Sequence, residues 1–434
     1  MRESLVKTEE FKDSPVERIP IDWQVVKLLD HVSLPNGQLD PKQKPYCDWI
    51  LIAPDHIESE TGRLLNPQTA AEQNAISGKY GFQPGDVLYS KIRPYLRKAV
   101  LADREGLCSA DMYPLRPGST IVPRFLLAVI LGEDFSRFAT AVSMRSGFPK
   151  LNREELGEYR LALPPYEEQK RIAEILDTVD EAIAHTSSLI AKLKQMKAGL
   201  LHDLLTGGLD ENGELRDALA HPEQFKPSQL GQIPKEWDVL EVNQVSEDIT
   251  YGLTVRPQYV PQGIPLVSAK ECFDGWIDYK NANKISEVDY RALRLRSIPK
   301  PGDVLFTKTG TVGRVARIKL SAPKCALSQN VALIKPRHDI VTAEFLELSL
   351  KSESIRRQTA VGITTLSIPD LQLAVLGRFL LPIPPKPEQS KIVICINSHD
   401  TRIRTEGAYR DKLKLQKQGL MHDLLTGKVR VKDA

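Results

Sequence analysis

The chain has 434 residues, of which 41 % are hydrophobic and 26 % are charged, and its formal net charge is +3. This length predicts two to four domains, and the hydrophobic fraction excludes a disordered chain. The mild basicity, with a pI of about 8.4, permits a nucleic-acid partner without arguing for one, because the local field decides.

Neither a membrane location nor a metal centre is expected. The first residues, MRESLVKTEE, lack the apolar segment of a signal peptide, and the longest apolar run, Phe125–Leu131, is too short to span a bilayer. The five cysteines show no CxxC and no zinc-type spacing, which is typical of reduced thiols in a cytoplasmic protein. We therefore expect a cytoplasmic location, no membrane partner and no metal ligands.

The sequence contains a long internal duplication. Five pairs of segments match in the same order: Phe11–Trp23 with Phe225–Trp237, Pro84–Tyr89 with Pro301–Phe306, Gly147–Leu156 with Gly362–Leu371, Pro164–Gln169 with Pro384–Gln389, and His202–Gly207 with His422–Gly427. The offset drifts from 225 − 11 = 214 to 422 − 202 = 220 residues, because loops tolerate insertions. A period of this length predicts two whole domains with the same tail.

The body of each copy, residues 19–163 and 233–383, is predicted to mix helices and strands. Val304–Leu320 has the pattern of a β-hairpin with a glycine-containing turn, and the first copy fills the same place without those glycines. Each PGDVL segment is therefore expected to be a tight turn that leads into a strand.

Helices are also predicted within each body. Phe125–Phe138 and Phe345–Arg357 have amphipathic patterns that favour helices. Asn152 and Ser367 are expected to cap short helices, and each has an acidic residue three positions later that would complete a capping box. The two bodies are therefore expected to share the same order of elements.

Each body is followed by a predicted long helix. The first begins after Pro164-Pro165 and ends at Gly207-Gly208, which suit a helix start and a left-handed stop. Apolar residues recur in heptads, with Ile172, Val179, Leu193 and Leu200 at one position and Ile175, Ala182, Leu189 and Met196 at the other. The second helix, Lys386–Thr426, is less regular. We expect rods of about 60 Å that pack on each other rather than only on their own domains.

The motifs of common enzymes are absent. Leu163–Tyr166, LPPY, lacks the Asn or Asp with which amino-methyltransferases hold the target amino group. The chain has no Walker loop, no G-x-S-x-G, no HExxH, and no Pro-Asp followed within 30 or so positions by the [DE]-x-K of restriction-type nucleases. We predict no catalytic residue and no cofactor site in this chain.

Basic residues lie beside a predicted strand pair in both copies. The candidate DNA contacts are Lys91, Arg93, Tyr95, Arg97, Lys98, Arg145 and Lys150 in the first copy and Lys308, Thr309, Arg314, Thr364 and Thr365 in the second. Cations, hydroxyls and helix starts suit phosphate contacts, and arginine can read guanine. One such patch alone is more typical of a solvated strand edge. Its recurrence in both copies favours two readers of different short sequences.

These motifs resemble those of the specificity subunits of type I restriction–modification systems, over nearly the whole chain. The resemblance rests on the two IPxxW openings, the PGDVL[YF] strands, the Gly-x3-Leu segments, the PPxxEQ helix starts and the HDLLTG ends. It implies an α+β fold in which two similar mixed α/β target-recognition domains are separated by two long antiparallel coiled-coil helices, with pseudo-two-fold duplication. The implied boundaries are residues 1–164 for the first domain, 165–207 for the first spacer helix, 208–384 for a linker and the second domain, 385–427 for the second spacer helix, and 428–434 for a tail.

The resemblance also implies a function and partners. A specificity subunit is not an enzyme: each of its domains reads one half of a bipartite double-stranded DNA target, and its helices fix the spacer. Two methyltransferase subunits and two restriction–translocase subunits join it, forming a DNA adenine methyltransferase and ATP-dependent endonuclease. S-adenosylmethionine, ATP and Mg²⁺ would be bound by those partners. Two alternatives stay open: a stand-alone DNA methyltransferase with two recognition domains, and a protein-binding scaffold without DNA contact.

Overall fold

The computed structural model describes residues 3–433 except residues 9, 145–148, 256 and 365–367. The chain divides into two compact units, Met1–Ser188 with Glu406–Ala434, and Leu189–Thr405. Each unit therefore contains one of the two repeated bodies, the start of the long helix that follows that body, and the end of the other long helix.

The helices account for the duplicated order of elements. They are α1 (Leu28–His31), α2 (Pro123–Leu131), α3 (Glu133–Ser143), α4 (Arg153–Gly157), α5 (Tyr166–Thr206), α6 (Glu287–Arg291), α7 (Ala343–Leu350), α8 (Glu353–Gly362), α9 (Leu373–Gly377) and α10 (Lys386–Leu425). The prediction of one helix over Phe125–Phe138 and one over Phe345–Arg357 was wrong, because each is two helices. The first pair breaks at Gly132, and the second at Ser352, whose hydroxyl caps α8 by accepting from the Ile355 amide.

The strands are short, and most of them follow the same order in both copies, with β8 present only in the first copy and the β19–β20 hairpin only in the second, among the described residues. The first copy has β1 (Glu3–Lys7), β2 (Phe11–Lys12), β3 (Ile19–Pro20), β4 (Gln24–Lys27), β5 (Val32–Ser33), β6 (Ile50–Ile52), β7 (Gln68–Thr69), β8 (Tyr80–Phe82), β9 (Val87–Ser90), β10 (Ala99–Leu101), β11 (Gly106–Cys108), β12 (Met112–Pro117) and β13 (Arg160–Leu163). The second has β14 (Phe225–Ser228), β15 (Gly231–Pro234), β16 (Asp238–Glu241), β17 (Ser246–Tyr251), β18 (Ile264–Val267), β19 (Cys272–Phe273), β20 (Trp276–Ile277), β21 (Lys284–Ile285), β22 (Val304–Thr307), β23 (Val315–Arg317), β24 (Ala326–Leu327), β25 (Val331–Pro336) and β26 (Leu380–Ile383). The last strand, β27 (Val429–Asp433), belongs to the first unit.

The sheets show that the duplication extends to the topology. The first unit has a sheet of order β10-β9-β12-β5, and the second has the matching order β23-β22-β25-β17. In each, a hairpin occupies one edge, β9 with β10 and β22 with β23, and the second of these confirms the hairpin predicted from the glycine-turn pattern of Val304–Leu320. A second sheet in each unit holds a parallel pair, β6 with β11 and β18 with β24. The predicted α+β fold with two similar mixed domains is confirmed.

The long helices lie antiparallel within each unit. In the first unit Lys417 pairs with Asp180 at 2.6 Å, while Arg430, further along the chain, binds Glu168 near the start of α5. In the second unit Lys197 pairs with Asp400 at 2.6 Å. Leu176 and Leu424 share one core, and Leu204 and Ile392 share the other. Each helix part thus packs on the other helix and on a domain at the same time.

The buried face of α5 is shifted by one residue from one of the two predicted heptad positions. Leu176, Ile190 and Leu204 are buried, and the first two lie one residue after the predicted Ile175 and Leu189. Met196, predicted on the seam, is 51 % exposed. Apolar residues occupy both candidate positions over much of the helix, so spacing alone could not separate them.

A buried hydrogen-bonded cluster ties the first domain to the two helices. The indole of Trp23, from the IPxxW motif, donates to Glu168 of the PPxxEQ motif at 3.0 Å. Arg430 of β27 donates to the same carboxylate at 2.6 Å and to Asp22 at 2.8 Å. The base of the first domain therefore combines its own opening, its own helix start and the segment that follows the other helix.

The second unit repeats this cluster with different parts of the chain. Trp237 donates to Glu388 at 3.0 Å and Arg216 donates to it at 2.6 Å, while the Leu209 amide donates at 2.8 Å. Arg216 follows the end of α5, just as Arg430 follows the end of α10. The tryptophan and glutamate of each cluster recur in the matched segments and could have been identified from the sequence. The two arginines lie outside those segments and could not.

The HDLLTG segments place the ends of α5 and α10 beside these two clusters. Gly208 after the first copy and Gly427 in the second have φ of +66° and +71°. A Cβ on Gly208 would overlap Glu388 and Trp237, and one on Gly427 would overlap Pro20. Glycine is required at both positions for conformation and for close approach, although the left-handed glycine lies one residue later in the first copy.

Candidate nucleic-acid interface

Two equivalent backbone contacts define where the candidate residues lie. The residue that follows β9 contacts the segment before α4, because the Leu151 amide donates to the Lys91 carbonyl at 2.8 Å. After β22, the Leu371 amide donates to the Lys308 carbonyl at 2.8 Å. Lys308 is therefore the structural equivalent of Lys91.

This register corrects one pair of aligned segments. The sequence match of Gly147–Leu156 with Gly362–Leu371 aligns Leu151 with Leu366, at an offset of 366 − 151 = 215. In the structure, Leu151 is equivalent to Leu371, at an offset of 371 − 151 = 220. Lys150 is thus equivalent to Asp370. Asn152 caps α4 as predicted, with its side chain accepting from the Glu155 amide.

The capping prediction for the second copy needs the same correction. Its short helix, α9, follows Gln372, which makes no side-chain cap bond. The prediction that this helix begins after Ser367 was therefore wrong. Ser367, Thr365 and Arg145 themselves lie outside the described residues, so the DNA contacts predicted for Thr365 and Arg145 stay untested.

Lys91 is a buried cation on the floor of the first site. It is 7 % exposed, and its ammonium lies 4.8 Å from the ring centroid of Tyr113 and 6.0 Å from that of Tyr80. No carboxylate of the described residues lies within ion-pair distance of it. Burial lowers the pKa of Lys91, and the positive charge of Lys150 lowers it further.

Lys150 and Arg153 extend this positive charge to the surface. Lys150 is exposed, and its backbone bridges to Ile92 beside the strand end. Among the described residues, the Arg153 guanidinium donates to two neutral groups, the Asn36 side chain at 2.9 Å and the Pro35 carbonyl at 3.3 Å. Arg153 was missed as a candidate, because its position beside the hairpin depends on tertiary contacts.

Other candidates in the first loop hold the loop together. Arg97 donates to the Leu131 carbonyl at the end of α2, and Lys98 donates to the Pro54 carbonyl at 2.7 Å. Arg93 and Arg97 both have φ of +48° and flank a short 3₁₀ turn that leaves Tyr95 50 % exposed. The loop is therefore a braced structure that presents Tyr95.

The second site holds its lysine in an ion pair. The Lys308 ammonium lies 2.8 Å from the Asp370 carboxylate, which also accepts from the Thr309 hydroxyl. The hydrogen bond from Lys308, and then that from Thr309, lowers the pKa of Asp370. Thr364 is exposed, and its amide donates to the Asp370 carbonyl at 3.0 Å. The charge of this lysine is thus neutralised locally.

Arg314 lies in an aromatic stack beside the second hairpin. Its guanidinium lies 5.0 Å from the ring centroid of Phe273 and donates to the Cys272 carbonyl at 3.3 Å. Trp276 stacks on Phe273 with ring centroids 4.4 Å apart and is 51 % exposed. Nothing in the sequence pattern singled out this hairpin, because its two aromatics meet only through the β19–β20 turn.

Two features are absent from the described residues. No three His, Cys, Asp or Glu side chains in the described ranges are grouped closely enough to hold a metal ion. Of the helices in those ranges, none combines the length and apolar character needed to cross a membrane.

The two equivalent domains and their equivalent loops define a protein built from two copies of one recognition module. The type I restriction modification DNA specificity domain matches residues 20–195 and 234–415. The chain belongs to this family and is a specificity subunit with two target-recognition domains.

Two relatives named as specificity subunits agree with this assignment. The chain is 24 % identical to the type I restriction enzyme MjaVIII specificity subunit of Methanocaldococcus jannaschii, over 98 % of this chain and 97 % of that protein. It is 31 % identical to the EcoDI specificity subunit of Escherichia coli over 46 % of this chain and 45 % of that protein.

Two solved chains share the fold. One, from a study of assembly and conformational transition in a type I R–M system, has a TM-score of 0.62, 20 % identity, and coverage of 94 % of this chain and 99 % of its own. The other, the S subunit of M. genitalium, has a TM-score of 0.52, 15 % identity, and coverage of 93 % and 96 %.

Proposed function

We propose that this chain is a non-catalytic subunit that reads a bipartite double-stranded DNA target, with one half-site for each domain. The observation that carries the proposal is the basic loop found at the same hairpin in both domains, with different side chains in each. A common scaffold with divergent loops suits two readers of different sequences. We further propose a cytoplasmic location.

The proposed DNA contacts are side chains that are exposed at the surface, or charged side chains that form no ion pair within the described residues. In the first domain these are Lys91, Tyr95, Lys150 and Arg153; in the second they are Thr309, Thr364 and Trp276, with Lys308 and Arg314 behind them. Arg97 and Lys98 serve the site by bracing its loop through backbone carbonyls. Arg93 contributes its backbone contact with Pro149.

The chemistry of the assembly would belong to other chains. Two methyltransferase subunits would bind S-adenosylmethionine, and two restriction–translocase subunits would use ATP and Mg²⁺. The exposed faces of α5 and α10 offer the docking surface for the methyltransferase subunits. With them, the assembly would methylate adenine and cleave DNA.

An exchange of domains tests the proposed reading. Residues 19–160 are replaced by those of another specificity subunit, and binding-site selection is performed on the assembled methylase. We expect one half of the target to change and the other to stay. The matched exchange of residues 233–380 should change the other half. A change in both halves, or in neither, would contradict independent reading.

The helices are proposed to act as a coiled-coil spacer. They run without interruption for 41 and 40 residues, which corresponds to about 60 Å at 1.5 Å per residue. Inserting four residues at matched points in both helices should move one domain by about 6 Å, or about two base pairs. A target spacer of unchanged length in the selected sequences would refute this role.

One measurement separates the proposal from a stand-alone methyltransferase. The purified chain is mixed with S-adenosylmethionine and duplex DNA, and bound cofactor and methyl transfer are measured. We expect neither without the methyltransferase subunits. A mobility shift on duplex DNA separates the proposal from a scaffold that binds only proteins.

A further inference from the structure

The two recognition domains differ in charge at one structurally equivalent pair of positions. Lys91 and Lys308 occupy the same place after the equivalent strands, and the residues facing them are Lys150 and Asp370. The first domain therefore places a second cation where the second domain places a carboxylate.

In the second domain, this carboxylate satisfies the lysine. The Lys308 side chain is 13 % exposed, and its ammonium lies 2.8 Å from the Asp370 carboxylate. A lysine in such a pair has little net charge to offer to a phosphate, because binding would require breaking an existing charge-assisted hydrogen bond.

In the first domain, no carboxylate of the described residues pairs with the three neighbouring cations. Within the described ranges, the Lys91 ammonium contacts aromatic ring faces, and Arg153 donates to an amide oxygen and a carbonyl. Asp111 lies near enough to affect Lys91 but forms no ion pair with it. The described part of the cluster therefore holds three cations without an ion-paired carboxylate, of which Lys91 is buried and Lys150 and Arg153 are exposed.

We propose that Lys91, Lys150 and Arg153 hold a backbone phosphate of duplex DNA, and that Asp370 closes the equivalent site in the second domain. The proposal rests on the proposed function, since it assumes that these loops meet DNA. It follows that the two domains contribute unequally to the salt-dependent part of binding. The first domain anchors the phosphate backbone at this loop, and the second binds there with less dependence on salt.

The test measures how duplex binding falls with salt. The full-length chain is titrated with a fluorescent random-sequence duplex at several salt concentrations, and the slope of log K against log salt is determined. Each phosphate contact contributes about 0.9 to this slope. Lys150 is exposed, so Lys150→Gln should fold normally and make the slope shallower by up to about 0.9.

Asp370 provides the reciprocal test. Asp370→Asn keeps the hydrogen-bonding shape but frees the charge of Lys308, and it should steepen the slope by up to about 0.9. Adding Lys308→Gln to that variant should return the slope to its original value. Lys192→Gln, on an exposed face of α5, removes the same charge elsewhere and should leave the slope unchanged.

The outcomes separate this proposal from the proposed function. A wild-type slope for Lys150→Gln, or no steepening for Asp370→Asn, would overturn the phosphate cluster even if domain exchange changes one half-site. Conversely, altered slopes with failed domain exchange would keep the cluster and refute sequence reading. Binding of inorganic phosphate to the cluster, with no change in the salt slope of duplex binding in the variants, would also overturn the proposal.

Discussion

Removing the Glu388 carboxylate should strongly destabilise the second unit. Glu388 is 7 % exposed and accepts from Trp237, Leu209 and Arg216. In Glu388→Ala, Arg216 keeps its charge in a site where its side chain is only 10 % exposed. Breaking a buried pair in this way costs about 3–5 kcal/mol, and the indole and amide left without an acceptor add to the loss.

The same arginine provides a matched control. Glu236 also lies near Arg216, at 3.8 Å, but its side chain is 71 % exposed. Glu236→Ala should therefore cost about 0–1 kcal/mol, as is usual for exposed pairs. Both variants can be compared by guanidinium unfolding followed through tryptophan fluorescence, with amide exchange of residues 204–216 as the local readout.

A third variant identifies the cause of the loss. If the uncompensated charge is responsible, Arg216→Met combined with Glu388→Leu should recover most of the stability, because apolar replacements of buried pairs are often neutral. The reasoning would be refuted if Glu388→Ala cost less than about 1 kcal/mol, the range of an exposed pair. Equal losses for Glu388→Ala and Glu236→Ala would refute it as well.

Three further predictions concern stability. Gly208→Ala should destabilise the chain by at least about 1 kcal/mol in thermal unfolding, whereas Gly199→Ala, inside α5 with open space around it, should stabilise by about 0.5–1 kcal/mol. A gain for both would contradict the packing of the helix end. Arg430→Ala should cost about 3–5 kcal/mol, measured by amide exchange in β1 and β4, since Glu168 stays buried; slow exchange there would argue against it. Asn152→Ala should lower protection of α4 by about 1 kcal/mol, and Gln372→Ala should leave α9 unchanged. Equal effects would show that capping does not decide either helix.

Much of the fold could be predicted because its signals are local and occur twice. The helix starts after paired prolines, the hairpin after PGDVLF and the cap at Asn152 each depend on residues within a few positions of one another. Repetition then allowed one copy to support the interpretation of the other. The single helices expected over Phe125–Phe138 and Phe345–Arg357 failed because a break between two packed helices leaves the hydrophobic pattern nearly intact.

The candidate site was harder to predict because its pairs are distant in the chain. Lys308 and Asp370 are 62 positions apart, and only the backbone register decides that they meet. A five-residue change of offset between the copies hid the matching of Lys150 with Asp370. The roles of Arg97 and Lys98 depend on carbonyls from other segments, which no composition or spacing reveals.

The pairing of β1 with β27 has a consequence for how the protein is made. Glu3 is registered with Asp433 and Lys7 with Val429, so β1 can pair only after β27, which is synthesised more than 400 residues later (433 − 3 = 430). Residues 189–405 have all emerged before that strand exists, and they form a unit of their own. The unit that contains the first domain is therefore completed only after every residue of the other unit has been synthesised.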